Sequence, residues 1–109
     1  MFNVVRSPGE FECSLCHHRA RGWIQFAFGA GLMARYEVGD RISWDGVELG
    51  EPGHHLVAVQ GLGQRCPNCG HDDDPEFDIV IRDDIIESVT STTGTTDYLA
   101  DGRYYWATI

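Results

Sequence analysis

Apolar and polar residues alternate along much of this chain. In residues 23–28, Ile24, Phe26 and Phe28 share one side while Gln25 takes the other. In 32–38, Leu32, Ala34, Tyr36 and Val38 alternate with Met33, Arg35 and Glu37. A period of two is that of a β-strand, whose successive side chains point to opposite faces. Phe77, Ile79 and Ile81 repeat it over 77–82, and 85–90 reads as another strand beyond the turn at Asp83-Asp84. Residues 56–60 form a short apolar strand that Gly61-Leu62-Gly63 bends. Segments 41–44 and 47–49 flank Asp45-Gly46, two residues that tolerate positive φ, which predicts a hairpin between them. Residues 1–9 read as an initial strand or loose arm ending in the turn Ser7-Pro8-Gly9. Residues 17–22 read as a loop and Gly29-Ala30-Gly31 as a break. The Thr- and Ser-rich stretch 90–97 reads as a long hairpin loop or flexible segment. Asp101-Gly102 is a further turn before a last strand over 103–109. No segment has a helical period, so the expected class is all-β.

The turns carry the chemistry. Cys13-Ser14-Leu15-Cys16 and Cys66-Pro67-Asn68-Cys69-Gly70 use every cysteine in the chain. A tight turn between two sulfurs aims both at one ion, and two such turns close a tetrahedron. Cys13, Cys16, Cys66 and Cys69 are therefore the candidate metal ligands, with Zn²⁺ expected, iron as the alternative metal and disulfide pairing as the competing use. Four thiolates fill the coordination shell, which argues for a structural ion and against zinc-catalysed hydrolysis. In the second turn Pro67 presets φ, and Gly70 suits the positive φ that follows.

The two turns resemble the knuckles of zinc ribbons, and Cys66-Pro67-Asn68-Cys69-Gly70 is similar to the second knuckle of rubredoxins. The resemblance covers about ten residues. It implies that the four cysteines hold Zn or Fe, with each knuckle at the tip of a β-hairpin. His17 stands where a rubredoxin has glycine, a position that calls for positive φ. Forty-nine residues separate the knuckles, against roughly 15–20 in a compact two-knuckle module. Closing the longer loop adds little entropy cost, which grows only with the logarithm of length. The expected architecture is a small β-sheet or barrel inserted between the two knuckles of a zinc ribbon. It forms one domain over 1–109, with inserted strands in 22–61 and C-terminal strands in 77–109.

Charge changes the picture of partners. The net charge is −9, and residues 70–101 hold ten acids against Arg82 alone. Losing four thiol protons and gaining a dication takes the net charge to about −11. Such a field repels phosphate backbones and steers towards a basic protein partner, such as a nucleic-acid-binding enzyme or a toxin that the chain neutralises. Arg19, Arg21 and Arg65 flank the knuckles and form the one basic patch favouring a nucleic-acid-binding zinc ribbon, which the overall charge opposes.

Other residue types add less. His17, His18 and His71 stand beside ligands and read as loop histidines, with ligand exchange or a hydrogen bond to a ligand as the sharper use. His54-His55 likewise read as loop residues, with Glu51 as the lone nearby acid. Asp72-Asp73-Asp74 lacks the rhythm of an EF-hand loop and reads as a solvated turn. The glycines follow no phosphate-loop pattern, and the aromatics, Trp23, Trp44 and Trp106 among them, read as core more than as a base-stacking surface. There is no nucleophile elbow and no thiol left for catalysis, so the expected function is non-enzymatic. No apolar run approaches a membrane span, and residues 1–9 lack signal-peptide character. Cytosolic residence is the expectation, and a reducing compartment favours metal over disulfides.

Overall fold

A computed structural model describes residues 2–31, 33–46, 48–73, 75–99 and 105–109. Leu32, Val47, Asp74, the Asp101-Gly102 turn and the first residues of the strand expected over 103–109 lie outside the described residues. Eleven strands run in chain order, and there is no helix among the described residues: β1 Asn3–Arg6, β2 Phe11–Glu12, β3 Arg19–Ala20, β4 Trp23–Phe26, β5 Gly29–Ala30, β6 Arg35–Tyr36, β7 Glu48–Leu49, β8 Leu56–Leu62, β9 Glu76–Arg82, β10 Ile85–Ser91 and β11 Trp106–Thr108. The fold is all-β. None of the described residues belongs to a helix long and apolar enough to cross a membrane.

Seven strands make the main sheet, in the order β10-β9-β8-β4-β1-β6, with β11 also on β8. Its pairs are antiparallel except β1 with β6, which is parallel. The alternation seen in the sequence becomes burial: Ile24, Phe26 and Phe28 join Phe77, Ile79 and Ile81 in one core with Val5, Val57, Val59 and Trp106. Gly61 lets the sheet close at its centre. A Cβ there would sit 2.6 Å from the Ile24 side chain and 3.1 Å from that of Ile79, so a larger residue would displace these core side chains.

Buried polar groups fix the irregular parts. The Asn3 amide donates to Phe28 O at 2.9 Å and accepts from Ala34 N at 3.0 Å, tying both ends of the bend that contains β5 to β1. Asp78 is buried in β9 and accepts from Thr92 Oγ1 at 3.0 Å, Thr93 N at 3.1 Å and Tyr98 Oη at 2.5 Å. Burial, and then the Asp78 carboxylate, push the Tyr98 hydroxyl pKa upward. The Thr-rich stretch, read as a loop or flexible segment, is thus a loop pinned to the sheet.

Several expectations differ from the molecule, among them Gly29-Ala30-Gly31, read as a break, which contains β5. Among the described residues, 41–44 and 48–49 do not pair across Asp45-Gly46. Instead β7 pairs with β5, matching Gly29 to Leu49. The chain after β6 bonds to β10, through Ile42 N to Asp84 O at 2.6 Å and Gly39 N to Ile86 O at 2.7 Å. A local turn signal permits a hairpin, but the burial of Ile42 and Ala30 decides which partners meet. Residues 17–22, read as a loop, contain β3, which pairs with β2. The main sheet joins β4, β6 and β8, from the segment between the cysteine turns, to strands expected outside it, β1 before the first turn and β9, β10 and β11 after the second.

Candidate metal centre

Each cysteine turn caps a hairpin. The first sits between β2 and β3, whose register matches Phe11 to Ala20 and Glu12 to Arg19. The second sits between β8 and β9, whose ladder continues through Gly63 N to Pro75 O at 2.9 Å. Both turns close with the same backbone bonds. Cys13 N donates to His18 O at 2.9 Å and Cys66 N to His71 O at 2.8 Å, while His17 N and Gly70 N each donate back to the first cysteine's carbonyl at 2.9 Å. The residue after the second cysteine has positive φ in both, 62° at His17 and 77° at Gly70. That conformation reverses the chain so that both sulfurs of a pair face inward.

The turns meet. Cys13 Sγ lies 3.6 Å from Cys69 Sγ, and Cys16 Sγ lies 3.6 Å from Cys66 Sγ. All four sulfurs lie within 4.8 Å of one another, so Cys13, Cys16, Cys66 and Cys69 are positioned to hold one metal ion. Metal–sulfur bonds of about 2.3 Å give a tetrahedron with edges of about 3.8 Å, close to these spacings. A disulfide needs about 2.05 Å, and all four thiols are free.

Local groups bias the sulfurs unequally. The Asn68 amide, 3.5 Å from Cys16 Sγ, and then the His18 backbone N–H lower the Cys16 pKa to about 6. At Cys69 the His71 backbone N–H favours the thiolate. Desolvation and the neighbouring sulfurs of Cys16, Cys13 and Cys66 outweigh it and raise the pKa to about 12. A bound divalent cation deprotonates its thiol ligands outright, which removes this difference.

Asp73 ties the two turns together independently of sulfur. It accepts from Ser14 N at 3.2 Å and from Ser14 Oγ, and it lies 3.1 Å from His71 Nε2. The Ser14 bonds first, and His71 after them, hold its carboxyl below the usual range. A lowered folded-state pKa stabilises the fold at neutral pH, and that contribution fades as pH falls through the lowered value. Residues 72–74, read as a solvated turn, are thus corrected at Asp73. No local pattern marks the role, because its partner stands 59 positions away.

The histidines contribute no nitrogen to the cluster among the described residues. His17 lies 3.6 Å from Glu12 and His55 lies 2.7 Å from Asp83, while His54 packs on Trp106 with ring centroids 5.3 Å apart. Of the basic patch, Arg19 pairs with Glu10 and Arg65 with Asp72, at 3.6 and 3.7 Å, and Arg21 donates to Ser7 O at 2.8 Å. Arg21 and Arg65 also line a cleft of about 410 Å³ between the first knuckle and the sheet, where Cys13 and Cys66 form part of the wall. No local pattern marks this cleft, because its lining comes from segments that meet only in the fold.

Several of the described acids in 70–101 have structural partners. Asp84 accepts from Trp44 Nε1 at 3.1 Å, Glu87 holds Arg82 at 2.6 Å and Asp97 caps Leu99 N at 3.1 Å. Comparison with protein-family models, with curated proteins and with solved structures gives no match to this chain. The four sulfurs and their surroundings are therefore what points to a function.

Proposed function

We propose that Cys13, Cys16, Cys66 and Cys69 hold a structural Zn²⁺ in a zinc-ribbon-like site, and that the protein is a non-enzymatic interaction module whose acidic surface engages a basic protein. The observation that carries the metal assignment is the convergence of two sulfur pairs, 3.6 Å apart across the turns. Zinc supplies a closed tetrahedral cross-link and leaves no coordination position for substrate. The chain's own groups do the rest: the backbone bonds of each knuckle aim its sulfurs, and the Ser14–Asp73 tie sets the distance between knuckles. The interaction half of the proposal is supported by the net charge of −9, concentrated in 70–101, which attracts cationic surfaces over about a Debye length.

Elemental analysis of the purified chain tests the metal. One zinc per chain and no visible absorption is expected, and Cys66→Ser lowers the melting temperature, because metal-binding free energy is also folding free energy. A visible chromophore with one iron per chain replaces the proposal with an Fe(Cys)₄ electron carrier, and an unchanged melting temperature overturns the structural role. The partner surface has a separate test. Glu76→Lys with Asp97→Lys, which spares Asp73, should weaken low-salt capture of basic partners. Capture that is indifferent to these changes removes the interface and leaves the metal centre standing.

A further inference from the structure

The main sheet has a second face, opposite the core. One half of it is covered: the loop 92–98 is bonded over β9 through Asp78, and Ala58 and Ala107 on that face are buried. The other half is open, with Arg35, Leu62 and Glu76 exposed and Val4, Trp23 and Gln25 half-buried. Register lines five of these residues into one row across five strands. Arg35 of β6 lies beside Val4 of β1, Val4 beside Gln25 of β4, Gln25 beside Leu62 of β8, and Leu62 beside Glu76 of β9. Residues paired in this way point to the same face. The row therefore reads cation, apolar, amide, apolar, anion, with Gln25 at its middle.

Neither end of the row meets its opposite charge within the chain. Four interstrand spacings separate the ends by about 19 Å. Arg35 holds no carboxylate among the described residues. Its guanidinium and that of Arg6 rest on Trp23, with Cζ atoms 5.6 and 5.7 Å from the ring centroid. Arg6 has Glu37 at 4.0 Å, whereas Glu76 accepts from Gln60 Nε2 at 3.4 Å and holds no guanidinium among the described residues. A second copy supplies what is missing. Two such faces stacked about a two-fold axis along β4 reverse the row, so Arg35 of each copy meets Glu76 of the other. Val4 then meets Leu62, and Gln25 meets its own counterpart. In an isologous contact each such match occurs twice. Packed sheets lie about 10 Å apart with strands aligned within about 30°, a gap that Arg and Glu side chains span from opposite sides. Trp23 shares β4 and the face with Gln25, which puts a Trp beside the axis, a residue type enriched in interface centres.

We propose that this open face pairs two copies of the chain through the row from Arg35 to Glu76, with Trp23 at the centre. The net charge of −9 repels two copies at long range but is screened over about 8 Å at physiological salt, so the contact is short-ranged and the dimer weak. Sedimentation of the metal-loaded full chain at physiological salt tests it. The average mass should rise from one chain towards two over about 1–100 µM. Arg35→Glu and Glu76→Arg should each weaken the dimer about ten-fold or more, because like charges then face each other at both ends of the row. Mixed one to one, the two single variants should pair with each other as tightly as the parent chain does, since each then meets its opposite charge at both ends.

Recovery on mixing separates a lost contact from a lost fold, because a misfolded chain is not repaired by a second variant. Glu76 also belongs to the acidic surface proposed above, so Asp97→Lys, which lies off the row, serves as the control. It should leave dimerisation intact, and no basic partner is present in the measurement. A single-chain mass at every concentration, charge reversals that dimerise like the parent, a mixture no tighter than its separate components, or a dimer lost with Asp97→Lys would each overturn the proposal.

Discussion

The two knuckles have the same backbone and different foundations. Both close with matching hydrogen bonds and both reverse at a positive φ. The second rises from β8 and β9, seven-residue strands that carry Val57, Val59, Ile79 and Ile81 into the core. The first rises from β2 and β3, two residues each, with Phe11 and Glu12 exposed. Apart from sulfur, its links to the rest include the Phe11–Phe77 contact and the Ser14–Asp73 bonds. Hydrophobic burial scales with area removed from water, so one knuckle is held up by the core and the other by whatever joins the turns. A metal held by the four sulfurs would therefore matter unequally to two structures of nearly identical local geometry.

Metal removal is the strongest way to break that comparison. If the ion is the proposed zinc, apparent binding free energies of about 10–16 kcal/mol in small domains set the scale of the loss. Chelation should release hydrogen-exchange protection in 10–21 while β8 and β9 keep theirs, a local opening in place of global unfolding. Equal loss in both hairpins would show that the core alone does not sustain the second. Smaller is the effect of the polar tie. Ser14→Ala and Asp73→Ala should each lower the melting temperature at neutral pH, and the double variant should be no worse than the worse single one, as for residues that share one interaction. Strict additivity would dissolve the tie. The smallest effects have opposite signs. Gly70→Ala, where a Cβ meets nothing within 4 Å, should cost about 1 kcal/mol from φ alone. His17→Gly relieves the same strain and should gain up to about 1 kcal/mol, less the entropy glycine loses on folding. Denaturant midpoints for the two variants check both signs.

Legibility in the sequence followed the range of the interaction that decides each feature. The cysteine turns are local, so Cys13, Cys16, Cys66 and Cys69 stood out by spacing. The strand over 77–82 was visible because one buried face imposes a period of two, while 56–60 stood out as a short apolar run and 85–90 as the strand beyond the Asp83-Asp84 turn. The partner of 47–49 was not visible, because Asp45-Gly46 permits a local hairpin while the core placed Leu49 against Gly29. Nor was the parallel pairing of Val5 with Tyr36, since parallel strands meet only through a long connection. Asp73 resembled its solvated neighbours in composition, and only the fold brings Ser14 to it.

The strand β11 spans three residues, and its register puts Trp106, Ala107 and Thr108 beside Val59, Ala58 and Val57. On that side β8 meets β4 only at Leu62. This short strand is thus a lid over a row of otherwise open amides and carbonyls on β8, whose Val57, Ala58 and Val59 are all buried. Clipped ahead of Trp106, the polypeptide would offer that row to any neighbouring copy and so acquire a route to self-association.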